Sequence, residues 1–223
     1  MKKIGALTVV LTILILGSPA MGLSLPPQTL TFDFDNPGGQ TLNFTQFDDN
    51  GGMYLLTKVT LVLNATQGAN VTGENDTDAP GSISAILGGT VTATGGGLSA
   101  IALLSTSDGP YAIGATDGTP GSGPDFHDFG FISDTDGDTD ILNNPPDNVS
   151  SFVGLGTIGI DIAGSGGFSI SGVSNSTMVV TDFGSEGSAT ITYEYSVVPE
   201  PATIGMLVTG AIGMFGAILR RRK

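Results

Sequence analysis

The sequence predicts an all-β protein, a single-domain antiparallel β-sandwich or jelly roll flanked by an N-terminal signal helix and a C-terminal transmembrane helix. Three observations predict the β body. Segment after segment alternates apolar and polar residues with a period of two. Clusters of Gly, Pro, Asn and Asp separate these segments at short intervals. Between Leu23 and Val198 no amphipathic helical period occurs. The 35 glycines and 12 prolines in 223 residues suit many short strands joined by turns.

The elements follow in order. Thr29 to Phe34 alternates Thr-Leu-Thr-Phe-Asp-Phe. Val59, Leu61 and Leu63 alternate with Thr60 and Val62. Ile83 to Thr94 is a β-prone stretch interrupted by Gly88-Gly89. Ile158, Ile160 and Ile162 alternate with Gly159 and Asp161, and Phe168 and Ile170 flank Ser169. Ala189 to Val197, ATITYEYSV, is a further half-buried strand. The expected turns are Asn36-Pro-Gly-Gly, Asn50-Gly-Gly, Asp108-Gly-Pro, Thr119-Pro-Gly-Ser-Gly-Pro and Asn144-Pro-Pro-Asp.

Charge narrows the function. The whole chain carries −14, with seven Lys plus Arg and 21 Asp plus Glu. Six of the seven cations lie at the two ends: Lys2, Lys3, Arg220, Arg221, Arg222 and Lys223. The body between keeps Lys58 alone against 20 acids, a charge of about −19. Such a body lacks the Lys and Arg that nucleic acid requires. It is equally unsuited to an anionic membrane surface. With no Cys and one His, thiolate catalysis, Cys-ligated zinc, disulfides and clustered-histidine metal sites are excluded.

The ends read as addresses. Lys2 and Lys3 precede an apolar run from Ile4 to Leu16, then Gly17-Ser18-Pro19. Ala20 and Gly22 place small residues before a cleavage site between Gly22 and Leu23, so residues 1–22 are expected to be a secretory signal peptide. At the other end, residues 202–219 carry no charge. As a helix they would reach about 27 Å, close to the hydrocarbon thickness of a bilayer. Arg220, Arg221, Arg222 and Lys223 would hold the tail on the cytoplasmic side. Pro199 and Pro201 keep the junction before the run extended, as a protease substrate must be.

Pro199-Glu200-Pro201, a Gly-rich apolar segment and a terminal basic cluster together resemble the PEP-CTERM sorting signal over residues 198–223. The resemblance implies recognition by an exosortase, a membrane-embedded cysteine protease and transpeptidase-like enzyme of Gram-negative bacteria. The alternative is a permanent single-span anchor. Within residues 23–197, the blocks QTLTFDFD, LNFTQFDDNGGMYLLTKVTLVLNATQGANVTGEN, HDFGFIS, SSFVGLGTIGIDI and ATITYEYSV resemble, in that order, the choice-of-anchor E domain. That family implies a small exported β domain without established enzymatic activity, so no catalytic residue is carried over. Asp48-Asp-Asn-Gly-Gly-Met-Tyr54 departs from the shorter Pro-containing turn of the family.

The sharpest candidate for chemistry is Asp134, Asp136, Asp138 and Asp140 at every second position. On a loop, alternate carboxylates can converge on calcium, which takes six to eight oxygen ligands. An EF-hand is excluded, because its Gly and Glu positions hold Thr139 and Pro145. Two readings stay open: a weaker extracellular calcium site, with Asp125, His127 and Asp128 as contributors, or a solvated acidic loop. His127 has no Gly-x-Ser-x-Gly elbow to serve, and surface placement is expected for it. Paired acids alone do not make a glycosidase, and the chain has no Trp to stack a sugar ring. Six of the ten Asn, at 43, 64, 70, 75, 148 and 175, begin Asn-x-Ser/Thr, an excess assigned to β-turn composition.

The expectation is therefore a non-enzymatic exported protein of the cell surface or extracellular matrix. Its partners would be the Sec translocon, signal peptidase, the inner membrane before processing, an exosortase and an exopolysaccharide, with no nucleic acid. No cofactor beyond that candidate calcium is implied. A calcium-dependent adhesion or polysaccharide-binding module is the alternative, and a carbohydrate-active enzyme ranks last.

Overall fold

The computed structural model describes residues 22–198. The strands are β1 (Leu23–Ser24), β2 (Gln28–Asp35), β3 (Gly38–Thr45), β4 (Tyr54–Asn75), β5 (Gly81–Gly95), β6 (Leu98–Ile113), β7 (Phe126–Asn143), β8 (Thr157–Ser171) and β9 (Ser176–Val197). One sheet runs β1-β9-β4-β7, with β2 also paired to β9. The other runs β3-β8-β5-β6. Every pairing in both sheets is antiparallel, and the sheets face each other as a sandwich.

The period of two decides which faces meet. On β4 the inward row is Val59, Leu61, Leu63 and Ala65; on β9 it is Ala189, Ile191 and Tyr193. Opposite them lie Val91 and Ala93 of β5, Leu98, Ala100, Ala102 and Leu104 of β6, and Ile160 and Ile162 of β8. Phe44, Phe47 and Phe152 fill one end of this core. Tyr193 is buried with them, its phenol pushed up to about 12 by burial. Its hydroxyl donates to the Thr45 carbonyl at 3.0 Å, tying β9 to the last residue of β3.

A smaller core of Ala69, Val71, Ala85 and Ile132 packs with Phe129, Phe168, Met178, Val180 and Phe183 toward the other end. Between the two cores lies a polar waist. Gln67 is fully buried, and its Nε2 donates to Ser185 Oγ at 3.0 Å; that hydroxyl donates to Asn36 Oδ1 at 2.8 Å. Glycines line the waist because Gln67 occupies the space. A Cβ on Gly89 would collide with Gln67 Oε1, and one on Gly166 would press on the Gly88 carbonyl. Gly88-Gly89 therefore does not break β5; the strand passes through it in register with Gly166 and Gly167.

Two further expectations are corrected. Asp108-Gly-Pro is not a turn but lies within β6. Gly109, at φ +114°, absorbs a bulge where Ile83 and Ala85 pair with Tyr111 and Asp108. The true β5–β6 hairpin turns on Gly96-Gly97, both with positive φ, as a two-residue connection of twisted strands requires. Asn43, Asn64 and Asn70 lie in strands, not turns. Their Asn-x-Thr pattern is the period of two putting Asn and Thr on the same outer face.

The waist yields a test. Gly89→Ala is expected to destabilise the fold by about 1–3 kcal/mol through overpacking. Adding Gln67→Ala should recover part of that loss, so a double-mutant cycle in urea reads a favourable coupling of at least about 0.5 kcal/mol. Strict additivity contradicts the close approach.

Candidate functional site

The Asp134–Asp140 segment is a strand, not a loop. It forms the middle of β7, paired residue by residue with Gln67 to Leu61 of β4. Ile132, the four Asp and Leu142 therefore make one row, facing inward at the edge of the first sheet. Across from that row runs β6, the edge of the second sheet, whose only backbone partner strand among the described residues is β5.

The carboxylates span this gap. Asp134 Oδ2 accepts the Ser105 N–H at 2.8 Å, Asp136 Oδ2 that of Leu103 at 2.8 Å, Asp138 Oδ2 that of Ile101 at 2.8 Å and Asp140 Oδ2 that of Ser99 at 2.7 Å. The pattern repeats every second residue on both strands. Those β6 residues turn their N–H groups away from β5, and the Asp side chains take the place of a missing neighbour strand. Hydrogen bonds from an amide to a carboxylate are stronger than amide–carbonyl bonds, so the side-chain ladder is a strong closure. The Leu103 N–H, followed by that of Gly137, holds the Asp136 carboxyl below its ordinary range.

The sequence left a calcium site and a solvated acidic loop open; the segment is a strand, and its geometry does not draw the four carboxylates together. Alternate residues on a strand are about 6.7 Å apart, whereas calcium–oxygen distances are about 2.3–2.6 Å, so one ion cannot gather the row. Among the described residues no group of three or more His, Asp or Glu is placed to hold a metal ion.

The upstream candidates are also separated. His127 stacks on Tyr111 at 4.1 Å between ring centroids and meets Phe129 edge-on at 4.8 Å. The Tyr111 hydroxyl donates to Asp108 Oδ1 at 2.8 Å, and that hydrogen bond, then the Asp108 charge and partial burial, raise its pKa. Asp125 is buried and accepts the Asp117 N–H at 2.9 Å through Oδ2. Asp128 Oδ1 accepts the Gly130 N–H at 2.8 Å, forming a turn within its own strand. His127 thus sits in an aromatic stack, and these acids hold backbone.

The sorting residues Pro199, Glu200 and Pro201, the basic cluster Arg220, Arg221, Arg222 and Lys223, and the signal segment before Gly22 lie outside the described residues. The junctions to them are in view. Leu23 pairs with Tyr195, and the Val198 N–H donates to the Met53 carbonyl at 2.9 Å. Gly22 and Val198 therefore leave the sandwich at the same end, called here the exit pole. Segments 46–53 and 144–156 complete that pole; the Gly154 N–H donates to the Phe47 carbonyl at 2.9 Å, and the Gly156 N–H to Gln46 Oε1 at 3.1 Å.

Sequence reasoning missed the partners of the acidic row, the amides of Ser99, Ile101, Leu103 and Ser105. A signal existed: Leu98, Ala100, Ala102 and Leu104 alternate with those four residues as a strand does, and Asp-x-Asp-x-Asp-x-Asp has the same period. It also missed Leu155, 87% exposed between two glycines at the exit pole.

The Asp136 rung makes stability depend on pH. Asp136 titrates lower in the folded chain than in the unfolded one. Its contribution is complete above the unfolded value, near 4, and is lost as pH falls through the folded value. Asp136→Asn should lower the urea midpoint at neutral pH and flatten the decline below about pH 4. Midpoints measured at stepped pH check this; an acid slope identical to that of the unaltered chain contradicts it.

No curated protein matches the chain. Among solved structures it is similar to infectious bursal disease virus proteins. The Gx strain structure is 16% identical, covering 97% of this chain and 52% of that one, with a TM-score of 0.17. The VP2 subviral particle is 15% identical over 88% and 49%, with a TM-score of 0.18. The T=1 particles derived from the virus are 13% identical over 79% and 41%, with a TM-score of 0.20. The chain spans about half the length of the first of these, and TM-scores this low support no inference about it. Residues 197–223 match the PEP-CTERM protein-sorting motif, which implies a sorted, exported cell-surface protein processed by an exosortase.

Proposed function

We propose that this chain is a non-enzymatic β-sandwich protein of the cell surface or extracellular matrix of a Gram-negative bacterium. It is exported through the Sec translocon behind residues 1–22, cut between Gly22 and Leu23 by signal peptidase, and held by residues 202–219 in the inner membrane. An exosortase then acts near Pro199-Glu200-Pro201. The observation that carries this reading is the motif match over 197–223, at the end of a body whose two junctions share one pole.

Other features support the finer points. The order β2-β9-β4-β7 against β3-β8-β5-β6 supports a jelly roll, in which successive strands wind between two sheets. The five sequence blocks from Gln28 to Val197 support a choice-of-anchor E-like domain. A non-catalytic role is supported by the aromatic packing of His127 and by the pairing of Lys58 with Glu194 at 2.8 Å, which engages the one Lys or Arg among the described residues. An acidic exterior suits a hydrated polymer matrix, and exopolysaccharide is the partner this chemistry fits.

Deleting Pro199 to Lys223 is expected to shift the body from the membrane and surface fractions to the periplasm or medium. Mass spectrometry of the mature full chain should find Leu23 at the start and no trace of residues 202–223. A mature protein that keeps that tail and stays in the inner membrane overturns the sorting reading.

A further inference from the structure

We propose that the exit pole of the sandwich is a lipid-contacting surface, seated in the headgroup layer of the bilayer that holds the tail. The proposal rests on reading residues 202–219 as membrane-inserted. It adds that the folded body itself, and not only the tail, touches lipid.

Exposed large apolar side chains gather at this pole. Leu23, Leu25, Met53, Leu55, Leu155, Val197 and Val198 are all exposed there. A mature body in open water would gain nothing from Leu155, the most exposed of them, projecting from the Gly154–Gly156 turn. Scattered apolar residues are ordinary on a surface, but a set concentrated around one point marks a contact. Beside Leu55 a groove of about 490 Å³ opens, walled by Tyr54, Pro146, Asn148 and Val153.

Chain length selects the occupant. Three residues, 199–201, separate Val198 from the apolar run. Four Cα steps reach at most about 14 Å even when fully extended. The headgroup region on each side of a bilayer is about 5–8 Å deep. A tail that starts its crossing at residue 202 thus holds the pole within or just above that layer, where apolar side chains bury favourably. Before signal cleavage the second apolar segment leaves from the same pole, since Leu23 pairs with Tyr195.

Charge at the pole is compatible with a zwitterionic surface. Asp48 Oδ1 accepts the Asn50 N–H, Asp49 Oδ1 the Gly51 N–H and Asp147 Oδ2 the Asn143 N–H, at 2.8, 3.1 and 2.8 Å. These carboxylates are occupied with their own loops. They still disfavour anionic lipid, so contact should be strongest with neutral headgroups.

The chain has no cysteine, which allows clean single-site labelling. Signal-cleaved protein, residues 23–223 with the tail kept, carrying Leu155→Cys or Leu55→Cys, and controls with Leu103→Cys or Phe131→Cys on the sheet faces, would each carry an environment-sensitive fluorophore. Each is reconstituted in phosphatidylcholine vesicles containing a nitroxide-labelled lipid. Quenching should be about twofold or more stronger at 155 and 55 than at 103 and 131. Leu155→Asp should weaken quenching at 55, while Leu103→Asp should leave it unchanged. Vesicle flotation reads the anchor separately. Protein that floats with equal quenching at all four sites overturns the lipid contact alone; protein that does not float overturns both the contact and the inserted tail.

Discussion

Four backbone N–H groups on β6 face away from their own sheet, and the fold depends on what meets them. Left bare, they would be an open strand edge and an invitation to pair with another chain. Asp134, Asp136, Asp138 and Asp140 meet them one by one from the edge of the opposite sheet. Side chains here do the work of a backbone ladder. They join two sheets that share no strand at that side, and they use acidic residues in positions where an inward-facing row would ordinarily be apolar.

The closure explains several features together. β6 can bury Leu98, Ala100, Ala102 and Leu104 because its outer edge is secured. On the other side of the sandwich a smaller version of the device appears, where the Gln28 side chain both donates to the Thr45 carbonyl and accepts its N–H. With both sides closed, Gln67 and its glycine neighbours set the spacing at the waist, and the apolar packing divides into two cores. The acidity of the body thus has a structural component: part of its negative charge is spent holding edges, and the remainder keeps an exported surface hydrated. The exit pole holds both junctions and most of the exposed large apolar side chains among the described residues.

Much of this was legible in residue order. Ile158-Gly-Ile-Asp-Ile162 and Ala189 to Val197 name their strands through alternation alone, and Pro199-Glu200-Pro201 with its apolar run and basic end names the sorting tail. The acidic row was visible but read as a loop, because Asp has a poor strand propensity and metal-binding loops share its spacing. What decides between the two is a partner about thirty residues away, and alternation does not reveal which edge amides lie opposite. Asp108-Gly-Pro failed for the converse reason: turn chemistry was present, but a bulge in a long strand uses the same residues. The exit pole escaped notice because its apolar residues come from four separate segments.

Amide hydrogen exchange tests the ladder most directly. Residue-resolved exchange at neutral pH should show the Ser99, Ile101, Leu103 and Ser105 amides protected like those inside a sheet, and protection at Leu103 should fall selectively in Asp136→Ala. Exchange of these four amides at the rate of an open strand edge would contradict the account.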